Sequence, residues 1–416
     1  MVERLRKVGF ARLKRVNETL DALLSQIKKN NEESIATLDA FNRILFEDVR
    51  SKINVPHFDR AAMDGYAVIA EDTFGASPKN PKHLKLIDQI EIGEVKDLSI
   101  KKGEGIRIST GAATPRGADA VIKIEETEIE GRNITVYNAL APGKNIAKKG
   151  EDIKKGTKIL SKGIQLKAAH IALLSSLGMK QIEVTKKPHI SIFATGDELL
   201  ELGDSLSENK IYDSNTPMIC SLAEQYGGKI IKTSTLKDDK ELISKILNSA
   251  TEESDIVVFT GGTSVGTKDF LPEILNEKGN IIAHGVAMRP GSPILIAFYN
   301  DTLVFCLPGT PVAAYVGFLK FVGPSIRISL GCQILDPRIE VLATISKDVP
   351  VTKLGYLYFL RAKLERDKEK IIAKPIRLKG SGIISSLTET DGIIEISPDQ
   401  EGLKRGDKVL VKLYPQ

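Results

Sequence analysis

Residues 259–270, FTGGTSVGTKDF, place a glycine pair, two hydroxyls, a third glycine, a lysine and an acid directly after a run rich in β-branched residues. A glycine-rich bend lets successive backbone N–H groups point into one concavity, and a following helix adds its N-terminal donors, so an oxyanion is held without a lysine. Thr263 and Ser264 add hydroxyl donors beside Gly261 and Gly262. The stretch is not a P-loop: counted from Gly261, Gly266 falls correctly, but Thr267 stands where the lysine must be and Lys268 comes one place late. For any single turn of this type, a structural βα turn with helix-capping hydroxyls is the alternative. Carboxylates form the second group. Asp197 and Glu198 in ATGDEL, Asp213 in IYDSN, Asp238 and Asp239 in LKDDKE, and Asp269 in GTKDF all stand beside expected strand ends or turns. Singly, each reads as a solvated charge or a helix cap; together they could coordinate Mg²⁺, which takes one or two carboxylates plus waters and phosphate oxygens.

Composition narrows the chemistry further. With 59 basic and 54 acidic residues the net charge is +5, a mild excess far from that of a dedicated nucleic-acid binder, while small anions remain plausible partners. Cys220, Cys306 and Cys332 are odd in number and far apart, which excludes a disulfide framework and a C-x-x-C metal site and fits a reducing cytoplasm. The five histidines show no H-x-x-x-H spacing, so any metal is expected to be oxygen-ligated. The N-terminus mixes charge with short apolar pieces and no long uncharged apolar run follows, an argument against a signal peptide or membrane span and for a soluble cytoplasmic protein.

The elements that must position these groups can be read from periodicity. At 416 residues the chain predicts two to four domains. Helical spacing predicts helices over 13–29 and around 36–46, the second from Leu38, Phe41, Ile44 and Leu45, and another over 166–178 with a glycine at its C-cap. Residues 53–141 read as a separate β-rich lobe, with GIRIST, ADAVIKIEE and NITVYNAL as strands. In the middle third, HISIFATGDEL, DIVVFTGGTSVG and TLVFCLPGTPVAAYVGFL each run from an apolar strand through a glycine-containing turn toward a helix. That alternation predicts a doubly wound, mainly parallel α/β sheet covered on both faces, with ligands beyond the carboxyl ends of its strands. From about 336 onward, short strands at close spacing predict a small antiparallel barrel or sandwich.

PHFDRAAMDGYAV at 56–68 has no reading from periodicity but is highly specific as a string. It resembles the signature of the molybdopterin molybdenumtransferase family, the MoeA proteins and the E domain of gephyrin. The resemblance continues in family order through RISTGAATPRGADAVIKIEET, GKNIAKKGEDI, ATGDELLELG, IYDSNTPMI, TGGTSVGTKDF, VAMRPGSP, LPGTPVAAYV and GSGIISSL. It implies a homodimer of four-part subunits: a helical linker and dimerisation domain at 1–53 and 142–185, an inserted β-rich lobe at 54–141, an α/β molybdopterin-binding domain at 186–330, and a C-terminal β-domain at 331–416. It further implies that adenylylated molybdopterin and molybdate meet in a cleft between the α/β domain of one subunit and the lobe of the other, where Mg²⁺-dependent cleavage releases AMP and the molybdenum cofactor.

Residue by residue, the resemblance implies active-site acids at Asp64, Asp152 and Asp269, and Mg²⁺-associated, catalytic positions at Glu198 and Asp238. It implies cleft or ligand positions at Thr110, Arg361 and Ser381, and a pterin-side loop at 307–311 that includes Pro308 and Gly309. Turn capping is the alternative for Asp64 and Asp152. Bacterial relatives often carry lysines in the segment equivalent to HGVAMRPGSP, whereas here Gly285 and Ser292 occupy two such places and Arg289 keeps the charge as a planar fork rather than a point charge. A preference for tungstate, or other basic partners such as Lys148 and Lys149, would be consistent with that departure. Two other readings are ATP-dependent adenylylation of molybdopterin, whose standalone enzymes resemble the α/β domain only, and a peptide-binding scaffold like gephyrin. A separate adenylylating protein is an implied partner of the leading reading.

Overall fold

The computed structural model describes residues 13–263, 270–377 and 380–415. These divide into two units, one formed by 47–161 with 168–180 and the other by the remaining described residues.

The first unit is built on a six-stranded mixed sheet of β1 (Gly65–Val68), β2 (Lys82–Ile90), β3 (Glu104–Ile108), β4 (Ala120–Lys123), β5 (Thr127–Glu130) and β6 (Asn133–Val136), in the order β4-β1-β3-β2-β6-β5. The period-2 alternation of a strand sends Tyr66, Val68, Ala120 and Ile122 to one core and Ala67, Ile106 and Val121 to another. Both faces are therefore buried. The sheet also explains the glycine of AMDGYAV: a Cβ on Gly65 would lie 1.7 Å from the Ile122 carbonyl oxygen, so β1 and β4 approach as closely as they do only with glycine there. The predicted helix at 166–178 is present as Ala168–Ser176. Gly178, at φ 70°, and Met179 donate to the carbonyls of Ser175 and Leu174, the paired bonds of a Schellman C-cap.

In the second unit, the expected N-terminal helix is shorter than its pattern, α1 running only over Val16–Leu24. The helix expected around 36–46 is absent. Glu32–Ala36 instead pairs antiparallel with Gln181–Thr185, a single 3₁₀ turn covers Thr37–Asp39, and Leu45 bridges Val184. The helical spacing misleads because its residues do not share a buried face: Leu38 and Phe41 are 80% and 56% exposed while Ile44 and Leu45 are buried, and Asn42 at φ 64° interrupts helical backbone.

The central sheet orders β8 (Lys229–Leu236), β7 (His189–Thr195), β9 (Ile256–Thr260), β12 (Thr302–Leu307), β11 (Leu295–Tyr299) and β10 (Asn280–His284) as β8-β7-β9-β12-β11-β10. The first four are parallel; β11 and β10 add an antiparallel edge. One face is covered by residues of Asn215–Gln225, Pro311–Gly317 and Gly323–Ser329, the other by residues of Lys240–Glu253 and Leu271–Lys278. Phe193 and Phe259, fully buried and 5.4 Å apart between ring centroids, tie β7 to β9 just before both strands end. Burial of each ring contributes about 1.5–3 kcal/mol.

The C-terminal strands β13 (Glu340–Ile345), β14 (Leu357–Asp367), β15 (Lys370–Arg377), β16 (Gly392–Ile396) and β17 (Lys408–Leu413) pair in a ring, β14-β15-β13-β17-β16 and back to β14. This closed five-stranded barrel leaves none of these strands without a neighbour on either side. Along β14, Tyr358, Leu360 and Ala362 fill the barrel, while Leu357 and Phe359 point outward into the core of the α/β sheet.

Candidate functional site

Register places the ends of three parallel strands level with one another: Ala194 pairs with Thr260, and Thr260 with Leu307. The chain therefore leaves β7, β9 and β12 at one edge, through the turns beginning at Gly196, Gly261 and Pro308. Gly261 and Gly262 both have positive φ, 93° and 63°, and a Cβ on Gly261 would stand 2.5 Å from the Thr195 carbonyl oxygen. Only glycine turns the chain so tightly against the neighbouring strand. A Cβ on Gly309 would lie 3.6 Å from the Gly261 Cα, so the second and third turns are packed against each other.

These turns surround a cavity of about 290 Å³, lined by Thr195, Glu198, Asp213, Asn215, Asp238 and the 260–263 turn, among others. The acids sort into different roles. Glu198 folds back over its own turn, both carboxylate oxygens lying 2.8 Å from where a Gly196 Cβ would be. Asp197 and Asp238 bridge the ends of β7 and β8 reciprocally: the Asp197 amide donates to Asp238 Oδ2 at 3.4 Å, and the Asp238 amide to Asp197 Oδ1 at 3.3 Å. Asp239, next in sequence, caps the helix Lys240–Glu253 by accepting from the Leu242 amide at 2.8 Å. Asp213 Oδ1 accepts from the amides of Asn215 and Thr216 at the start of the helix Asn215–Gln225. Ser264 and Asp269 lie outside the described residues.

Thr195 and Asn215, which the sequence reading passed over, are the least satisfied polar groups here. Thr195 Oγ1 and Asn215 Oδ1 are buried without a hydrogen-bond partner. His284 is a further neighbour of the turn, hydrogen-bonded to the Thr263 backbone; burial holds its imidazole below the ordinary range, and that bond offsets part of the effect. No composition or spacing signal marks these three residues. Hard oxygen donors prevail in the cavity. Among the described residues no cluster of three or more His, Cys, Asp or Glu forms a protein-only metal cage. The carboxylates of Glu198 and Asp238 line the cavity and are of the donor type that fits Mg²⁺, which completes its shell with water and phosphate oxygens.

The lobe presents its own acid. Asp64 is exposed, and its Oδ1 accepts from both the amide and the hydroxyl of Thr110, at 2.7 and 3.0 Å. The amide bond first and the hydroxyl second hold the carboxyl below its ordinary pKa, so it stays an anion. Asp152 is exposed on a turn whose backbone is fixed by bonds to the Val55 carbonyl. Lys148 is already engaged, its ammonium 2.9 Å from Asp59 Oδ2, while the Lys149 amide donates to Asp59 Oδ1.

Other expected positions are placed differently. Arg289 does not line the cavity; its guanidinium lies over the Tyr356 ring at 4.6 Å and donates to Thr352 Oγ1. Gly285 is buried at φ 90° with its N–H and carbonyl bonded to Ile294 and Lys14, and the Ser292 hydroxyl is turned onto the Met288 carbonyl, so neither position supplies the missing charge. Arg361 is 1% exposed, an interior arginine rather than an open cleft group. Ser381 contributes its carbonyl, which accepts from the Val312 amide just beyond the 308–310 turn. Pro308 is buried, and the Gly309 carbonyl accepts from Asn215 Nδ2 at 2.7 Å.

Comparison with known proteins accounts for nearly the whole chain. Residues 14–178 match the model described as "MoeA N-terminal region (domain I and II)", 191–328 the "Probable molybdopterin binding domain", and 349–414 the "MoeA C-terminal region (domain IV)". A molybdopterin molybdenumtransferase of Staphylococcus aureus is 35% identical over 397 residues, 95% of this chain and 94% of the relative. The chain belongs to the MoeA family. A Methanocaldococcus jannaschii protein whose name places it in molybdopterin biosynthesis is 38% identical over 406 residues, 96% of each chain. The crystal structure of the molybdopterin biosynthesis MoeA protein from Pyrococcus horikoshii superposes with a TM-score of 0.85 at 36% identity, over 97% of this chain and all of that one. The chain is thus a MoeA-type transferase of molybdenum cofactor biosynthesis. Among the described residues of this MoeA protein, no helix is long and apolar enough to cross a membrane.

Proposed function

We propose that this protein inserts molybdate, or tungstate, into adenylylated molybdopterin in a Mg²⁺-dependent reaction that releases AMP, working as a homodimer. The observation that carries this reading is the cavity in which two consecutive left-handed glycines, Gly261 and Gly262, share one sheet edge with Glu198 and Asp238. Backbone amides at such a turn hold phosphate or oxyanion oxygens. Glu198 and Asp238 would hold Mg²⁺, which when bound neutralises charge on the phosphate whose bond is cleaved. The 308–310 turn, held by Asn215, packs against the glycine pair. Asp64, with Thr110, and Asp152 are assigned to the same reaction from the lobe, and Asp269 and Ser264 from the 264–269 segment. Arg361 and Ser381 are assigned supporting roles at the barrel.

Standalone adenylylation is the weaker alternative, because the match extends through the lobe and barrel as well as the α/β domain. Incubation of purified protein with adenylylated molybdopterin, Mg²⁺ and either oxyanion tests the proposal. AMP appearing only when oxyanion and Mg²⁺ are both present is the expected result. ATP consumption with unadenylylated molybdopterin, and no AMP release from the adenylylated form, would favour the alternative.

A further inference from the structure

The cavity at the strand ends has more hydrogen-bonding capacity than its own residues use. Asn215 is 8% exposed, and its Nδ2 donates to the Gly309 carbonyl at 2.7 Å. That bond fixes the amide's orientation, since a carbonyl oxygen accepts only from the NH₂ side. Oδ1 is left buried with no partner. Thr195, 5% exposed, leaves its hydroxyl in the same condition, 3.1 and 3.0 Å from where Cβ atoms of Gly261 and Gly262 would stand. Buried polar atoms nearly always find partners within the protein, so two orphans on one cavity indicate partners supplied from outside it.

Resting on the functional reading above, we propose that Asn215 is a further binding residue of this site: Oδ1 accepts a hydrogen bond from an N–H on the edge of the ligand's heterocycle while Nδ2 holds the 308–310 turn. The Gly309 bond uses one Nδ2 hydrogen and sets the amide so that the buried atom left without a partner is Oδ1, an acceptor, which suits an N–H donor and not a phosphate oxygen. The Asp213 carboxylate beside it reinforces that polarity, its Oδ1 being taken by the amides of Asn215 and Thr216. Both heterocycles of the proposed substrate carry such donors: the 2-amino-4-oxopyrimidine edge of the pterin and the exocyclic amine of adenine.

Equilibrium binding by calorimetry to the full chain separates the possibilities, using adenylylated molybdopterin, neopterin monophosphate and AMP as probes and comparing wild type with Asn215→Ala and Asn215→Asp. Both variants lose the bond to Gly309, but only Asn215→Asp keeps an acceptor in place. We expect Asn215→Ala to weaken adenylylated molybdopterin roughly tenfold to hundredfold and Asn215→Asp, which keeps an acceptor but adds a charge that the phosphates oppose, to weaken it less than Asn215→Ala. Loss on the neopterin arm assigns the donor to the pterin, and loss on the AMP arm assigns it to adenine. Equal weakening in both variants would reduce Asn215 to a clamp on the 308–310 turn, and wild-type affinity in Asn215→Ala would remove it from the site; either overturns the inference. A wild-type protein that binds none of the three probes overturns the functional reading itself. Thermal melting of both variants separates these outcomes from loss of fold.

Discussion

The unit that carries the α/β sheet has two strongly polar interiors, and they are built on opposite rules. Where the barrel meets the α/β core, Asp336 receives two bonds of 2.8 Å from Arg338, whose side chain is 2% exposed, and Lys412 lies 3.2 Å away. Glu395 pairs with Lys320 at 2.9 Å, and with Lys412 at 3.5 Å. Lys320 sits in the wider helical turn Phe318–Val322, on the same run of helix that begins after the 308–310 turn. Every acid there faces a base, Glu395 Oε1 through ion pairs alone, without a hydrogen bond. The cavity at the strand ends is the reverse: Glu198, Asp213 and Asp238 gather with two unpartnered polar atoms, and no Lys or Arg is among the described residues lining it. A compensated interior holds structure together, whereas the uncompensated cavity leaves negative charge and hydrogen-bonding capacity that the proposed ligand and cation would satisfy. An acidic pocket repels phosphates and oxyanions by itself, which supports the proposed place of a divalent cation between them.

The contrast can be broken at several points. Arg338→Ala would leave two acids of the barrel cluster short of a partner and should cost about 3–5 kcal/mol of stability, read as a lower urea midpoint, with AMP release per folded molecule near wild type. In the cavity the signs reverse. Glu198→Ala or Asp238→Ala should slow AMP release at least about a hundredfold, equivalent to roughly 2.7 kcal/mol, while the unfolding free energy of Glu198→Ala in urea stays within about 0.5 kcal/mol of wild type. Gly261→Ala should lower both, costing on the order of 1–2 kcal/mol for the left-handed backbone alone, since its Cβ would also strike the Thr195 carbonyl.

Acid provides the finest probe. Burial alone would raise the Asp336 pKa, but the Arg338 bonds and the charges of Arg338 and Lys412 outweigh it and bring the carboxyl down to about 2 from 3.8. Because the folded value lies below the unfolded one, its stabilisation is present above pH 3.8 and is lost as pH falls through 2. Asp336→Asn should therefore flatten the fall of the urea midpoint across that window relative to wild type. An unchanged slope would show that the pair does not hold the charge.

The fold was legible where burial is continuous. The β7, β9 and β12 segments read as parallel strands because their side chains are apolar on both faces, and their shared turn edge followed from that. The segment at 36–46 misled for the complementary reason: an apolar period marks a helix only if its residues share a buried face, and Leu38 and Phe41 are on the surface. Within the site, sequence could not separate Asp238 from Asp239. One faces the cavity and the other caps a helix, a difference of one residue in direction as the chain leaves β8. The charge at Arg289 was visible, but not the Tyr356 ring that draws it away. Thr195 and Asn215 were silent because an orphaned hydrogen bond is a property of packing and leaves no trace in residue spacing.

The most direct measurement is a crystal structure of the protein with adenylylated molybdopterin and Mg²⁺. The account predicts ligand phosphate oxygens on the backbone amides of the 261–263 turn, the cation between them and Glu198 or Asp238, and a heterocycle N–H on Asn215 Oδ1. Ligand density away from the β7, β9 and β12 ends, with that cavity filled by water alone, would contradict it.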